Sequence, residues 1–74
     1  MSLTEIIATQ IRVVMAKKNR SVRQCAAALG CSIGSTDRLV AGEKPMTSDQ
    51  IELVAQFLGI PPVDLVRPVE GVDA

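Results

Sequence analysis

The stretch SVRQCAAALGCSIGSTDRLVAG, residues 21–42, decides how this chain folds. Ser21 and Gln24 have the spacing of a capping box, in which the hydroxyl accepts a backbone N–H and the third helical side chain returns a bond. Cys25-Ala26-Ala27-Ala28-Leu29 follows as a strong helix run and ends at Gly30. Ser32 caps a second helix, Ile33 to Ala41, closed by Gly42. The link Leu29-Gly30-Cys31-Ser32 is too short for an ordinary hairpin of helices. A turn this tight needs a residue at positive φ, which glycine supplies without steric penalty. It also needs a small residue where the helices cross, and Ala26, four before the glycine, fits. The pattern A-x-x-x-G followed by a capped helix holds the second helix proud of the surface.

The same punctuation extends outward on both sides. Ser2 with Glu5 is another capping box, and Leu3, Ile7, Ile11, Val14 and Lys18 recur at helical spacing, widened by Ile6 and Val13. Lys17-Lys18-Asn19 then gives bases in a last turn and an Asn that tolerates a left-handed stop. Downstream, Thr47 with Gln50 opens a run whose Ile51, Val54, Ala55 and Leu58 form an i, i+3, i+4, i+7 face, stopped by Gly59. Pro61-Pro62 starts one further turn, Val63 to Val66. No segment alternates with period two between turn signals, so strands are not expected. The pattern predicts an all-α, compact five-helix domain over residues 1–66, with Val54, Phe57, Leu58 and Ile51 in its core. Residues 67–74 carry no strong pattern and read as a tail, flexible or used in self-association.

Composition removes several chemistries. The chain has 74 residues, 47% hydrophobic, with no net charge, too apolar for a disordered segment. It has no His and only two Cys, so no Ser-His-Asp triad and no cysteine–histidine zinc site can be assembled. There is no G-x-x-x-x-G-K-[ST] loop. An enzyme, a metal, a cofactor and a small-molecule ligand are therefore all unexpected. No apolar run reaches the ~18 residues of a membrane span, and Met1-Ser2-Leu3-Thr4-Glu5 lacks the features of a secretory signal, so a cytoplasmic address is expected. In that reducing setting Cys25 and Cys31 read as small apolar fillers and not as a disulfide.

Charge is balanced overall and uneven along the chain. Residues 1–47 hold seven bases against three acids, while residues 48–74 hold Arg67 against five acids. Five of the bases lie between Arg12 and Arg23. This points to a basic face for a polyanion with the acidic half turned away. The alternative is a solvated helix end, where bases complement the C-terminal dipole.

Taken together, Ile11-Arg12-x-Val14, Ser21-x-x-x-x-Ala26-x-x-Leu29-Gly30-Cys31-Ser32, Arg38-Leu39-x-x-Gly42, Thr47 to Leu58 with Gly59-Ile60, and Val63-Asp64-Leu65 resemble the phage lambda repressor and Cro-like family of helix–turn–helix DNA-binding domains. The likeness spans Ile11 to Leu65. It implies a recognition helix beginning at Ile33, with Ile33, Gly34, Ser35, Asp37 and Arg38 as base-contact candidates. Arg38 is the foremost, because its fork can pair bidentate with guanine O6 and N7; the bland reading pairs it with Asp37 instead. Ile33 would pack on a thymine methyl, Gly34 would let the backbone approach closely, and Asp37 would orient Arg38 or accept from a cytosine amino group. Arg12, Arg20, Arg23, Gln24, Ser32 and Lys44 are phosphate-contact candidates, which position a protein without reading sequence. Phe57 is the only aromatic residue, so base stacking is not available and duplex DNA is the expected partner over single strands.

Three positions depart from the family pattern. Arg20 stands where an apolar residue is usual, Val22 where a Gln often meets a phosphate, and Thr36 where an Ile or Val anchors the recognition helix. A buried Thr36 needs a carbonyl partner in its own preceding turn. The resemblance implies a small sequence-specific transcriptional regulator, repressor-like or Cro-like, with a homodimer through Pro62 to Val72 as the expected assembly. The rival is a protein-binding module of the same fold, an antitoxin-like or antirepressor partner with little DNA affinity.

Overall fold

Among the described residues, four α-helices and one 3-10 turn follow each other: α1 (Leu3–Lys17), α2 (Val22–Leu29), α3 (Ile33–Val40), α4 (Ser48–Leu58) and the turn Pro62–Leu65. They come from a computed structural model, which describes residues 2–67. No strand occurs among the described residues. The proposed self-association residues Val69 and Val72 lie outside them.

Each helix begins where its cap stands in the sequence. Ser2, Ser21 and Thr47 accept from the backbone N–H of Glu5, Gln24 and Gln50, and those three side chains accept from the cap's own N–H at 2.9–3.0 Å. The bonds from Ser2 hold the Glu5 carboxyl below its ordinary range, the backbone N–H contributing most and the hydroxyl next.

Each helix also ends in one manner. Asn19, Gly30, Gly42 and Gly59 take φ of 56°, 69°, 80° and 71°, and the next residue's N–H bonds back to a carbonyl five positions earlier. The pairs are Arg20 to Met15, Cys31 to Ala26, Glu43 to Arg38 and Ile60 to Ala55, at 2.8–3.1 Å. This Schellman geometry satisfies carbonyls that a helix end leaves open. Asn19 is the one non-glycine residue at positive φ among the described residues, consistent with a short polar side chain tolerating that region.

The fifth segment corrects the five-helix expectation. It is a 3-10 turn, with Asp64 donating to Pro61 at 3.0 Å and Val66 to Val63 at 3.2 Å. Four residues are too few for a run of i to i−4 bonds. What fixes the turn is Leu65, fully buried against the core. Burying such a side chain contributes about 1.5–3 kcal/mol.

The core gathers Ile7, Ile11 and Met15 from α1, Cys25 from α2, Val40 from α3, Val54, Ala55 and Leu58 from α4, and Leu65. Ile51 and Phe57 pack against it partly buried. Periodicity places Leu3 on the α1 core stripe, but Leu3 is 56% exposed and the buried α1 face runs through Ile7, Ala8, Ile11 and Met15. The small Ala8 lies where the chain leaves α3: a Cβ on Gly42 would stand 3.4 Å from the Ala8 Cβ and 4.0 Å from the Glu5 Cα.

Candidate nucleic-acid interface

The α2–α3 pair is assembled from short-range bonds. Gly30 reverses the chain, Ala26 is buried at the crossing, and Ser32 Oγ accepts from the Ser35 N–H at 3.1 Å to start α3. Thr36 is fully buried, and its Oγ1 donates to the Ser32 carbonyl at 2.9 Å. The required partner is therefore in its own preceding turn. The Thr36 N–H meets the same carbonyl at 3.0 Å, so that oxygen stays bonded even without the hydroxyl.

Thr36, Leu39 and Val40 bury one face of α3. At about 100° per residue, Gly34, Arg38 and Ala41 fall opposite them, and all three are exposed. Ile33 and Asp37 lie together along one side of that stripe and are exposed too, with Ile33 at 45%. Ser35 is half-buried. All five base-contact candidates thus sit on one short helix that stands out from the core.

The charged groups around α3 are not consumed by the fold. Among the described residues the ion pair is Asp64 with Arg67, so Arg38 has no carboxylate partner and its pairing with Asp37 does not occur. Arg20, Arg23 and Lys44 are likewise exposed and unpaired there. Gln24 spends Oε1 on the Ser21 N–H, and its Nε2 donates to no protein group among the described residues. Arg23 and Gln24 lie in the first turn of α2, Ser32 at the cap of α3, Arg20 before α2 and Lys44 after α3. Helix N-termini carry partial positive charge and open N–H groups that favour anions. An open groove of about 590 Å³ lies where α1, the start of α2 and the outer part of α3 meet, walled by Arg12, Arg20, Ser21, Val22, Asp37 and Ala41.

Arg12 has a place that its sequence position did not disclose. Its Nη1 donates to the Val40 carbonyl at 2.6 Å and its Nη2 to Thr9 Oγ1 at 3.3 Å. Its guanidinium therefore closes the C-terminus of α3. A base on one helix facing the end of another is a tertiary relationship, and spacing along α1 carries no signal for it.

No three or more Cys, Asp or Glu side chains converge to hold a metal ion among the described residues. No described helix is long and apolar enough to cross a membrane. Neither a search of curated proteins nor a search of solved structures finds a match. A comparison with protein families matches residues 10–71 to the Cro/C1-type HTH DNA-binding domain. The matched span contains α2, the tight turn and α3 whole, together with Arg38 and every phosphate-contact candidate. With this architecture and most of its length covered, the chain belongs to the Cro/C1-type helix–turn–helix DNA-binding family.

Proposed function

We propose that this DNA-binding domain recognises duplex DNA sequence-specifically, with α3 in the major groove, and acts as a small repressor-like or Cro-like transcriptional regulator. The observation that carries this reading is Arg38: exposed, without a carboxylate partner among the described residues, and opposite the buried Thr36, Leu39 and Val40. A guanidinium so held offers its fork to guanine O6 and N7, worth about 1–3 kcal/mol of discrimination. Ile33 supports contact with a thymine methyl, with Gly34, Ser35 and Asp37 completing the reading surface. Arg20, Arg23, Gln24, Ser32 and Lys44 take phosphates, and Arg12 supports them by holding α3. A single such module makes few contacts, so two copies on paired half-sites are the natural assembly. Val63 and Val66 are exposed at the 3-10 turn, at 56% and 38%, and supply the described part of a self-association surface from Pro62 to Val72. Sedimentation that stays monomeric with and without target duplex would remove the dimer.

Selection of bound duplexes from a random pool at about physiological salt tests the reading, because non-specific binding is weak there. An enriched palindrome supports a sequence-specific dimer, and an enriched single site supports a sequence-specific monomer. No enrichment, repeated at lower salt, favours the protein-binding alternative, for which zero net charge, Val22 and Thr36 speak. Salt separates the two further: log affinity for duplex falls with log salt by about 0.9 per phosphate contact, whereas an apolar protein interface is far less sensitive.

A further inference from the structure

The outward face of α4 carries apolar and acidic groups that the fold leaves unused. Asp49, Glu52, Leu53 and Gln56 are all exposed, Leu53 at 39%. Their i, i+3, i+4, i+7 spacing puts them on one stripe, opposite the Ile51, Val54 and Leu58 that α4 turns to the core. Neither Asp49 nor Glu52 pairs with a base among the described residues. Leu53 thus stands as an apolar knob beside two carboxylates.

The groove between α1, α2 and α3 has the complementary character. Met15 and Val40, both buried, and the half-buried Val22 give it apolar walls, and Arg12 and Arg20 set two cations against the single Asp37. Arg20 and Val22, two of the three departures from the family pattern, both line it. The Val22 side chain gives a phosphate nothing to bond, whereas it gives a leucine a wall. Among the described residues no α4 side chain lines the groove, and α4 packs on its own core by the other face. Knob and groove therefore meet only between two copies.

We propose that the groove takes the α4 face of a second copy of this chain, with Leu53 against its apolar walls and Asp49 and Glu52 toward Arg20 and Arg12, and that duplex DNA competes with this contact. The two surfaces differ, so the association is head-to-tail and not a symmetric dimer. One helix face in one groove is a small contact, so it is weak and concentration-dependent. A copy seated there covers Arg20 and Asp37, which the duplex also needs. The competition rests on the duplex-DNA reading above; the contact itself does not.

The test is sedimentation of the full chain over a concentration series without DNA, at about 0.1 M and about 1 M salt, between which the screening length falls from about 10 Å to about 3 Å. Wild type associates reversibly, and less at the higher salt. Arg20→Glu, Glu52→Lys and Leu53→Glu each lower the association constant about tenfold or more, with melting temperatures close to wild type because all three side chains are exposed. An equimolar mixture of Arg20→Glu and Glu52→Lys recovers association, since each altered groove meets an altered α4. A chain that stays monomeric overturns the proposal. So does association that these variants leave unchanged, and its loss in Val66→Glu alone would assign it to the surface from Pro62 to Val72. Duplex that wild type binds is expected to dissolve the association; bound duplex that leaves it intact overturns the competition. A chain that binds no duplex removes the DNA reading, while sedimentation still decides the contact.

Discussion

The guanidinium of Arg12, near the middle of α1, donates to the carbonyl oxygen of Val40, the last residue of α3, at 2.6 Å. The end of a helix carries open carbonyls and partial negative charge, so a cation there satisfies an acceptor and offsets the dipole. The bond ties the pitch of α3 to α1, and α1 in turn is anchored through Ile7, Ile11 and Met15.

Arg12→Ala is expected to destabilise the domain by about 1–2 kcal/mol, on the order of one charge-assisted hydrogen bond at a part-buried helix end. Arg12→Lys recovers part of the loss, because an ammonium keeps the charge but not the fork. Urea denaturation measures both. Unchanged stability with weakened DNA binding would return Arg12 to the phosphate-contact group.

Thr36 occupies a position where an apolar side chain would serve as well. Its hydroxyl donates to a carbonyl that also receives the Thr36 N–H, so Thr36→Val leaves no acceptor unbonded. The expected change in stability for Thr36→Val is within about 1 kcal/mol, in either direction. Thr36→Ala opens space in a fully buried site and costs about 1–2 kcal/mol. Chemical denaturation of the pair checks the ordering. A Thr36→Val loss as large as that of Thr36→Ala would mean that the hydroxyl itself carries the site.

Much of this was legible in the sequence because it is local. Ser21 with Gln24, Ser2 with Glu5, and Thr47 with Gln50 announce helix starts through bonds spanning three residues. Asn19 and Gly30 announce stops through a property of one residue, the tolerance of positive φ. What was not legible depends on where helices meet. Leu3 fits the α1 period yet is exposed, while Ala8, beside the end of α3, is buried. The residues from Pro62 carry a helix signal in their apolar spacing, but the segment is only four residues long and closes as a 3-10 turn. The partner of Arg12 lies 28 residues away, beyond the reach of any spacing rule.

The two thiols are expected to behave differently. Cys25 is fully buried in the core and Cys31 half-buried at the α2–α3 turn, and neither is in a disulfide. Burial pushes the Cys25 thiol above its ordinary value near 9.0, and the neighbouring Cys31 adds to the shift. A thiol-directed reagent at neutral pH should therefore modify Cys31 first and reach Cys25 only at the rate of unfolding. Because the folded state holds the Cys25 proton more tightly, its contribution to stability is full below the unfolded value and is lost as pH rises through the folded one. The stability gap between wild type and Cys25→Ala should be constant at neutral pH and change only above about pH 9. Rapid labelling of both cysteines in the folded protein would contradict this.

The central claim, that the outward face of α3 reads bases while the flanking bases hold phosphates, is tested most directly by measuring Arg38→Ala and Lys44→Ala against every single-base variant of the selected duplex. Arg38→Ala is predicted to flatten the preference at one base position, by about 1–3 kcal/mol, and to leave the others in place. Lys44→Ala is predicted to weaken binding to all the duplexes about equally and to reduce the salt slope by about one contact. Identical behaviour of the two variants would contradict the assignment of α3 as the reading helix.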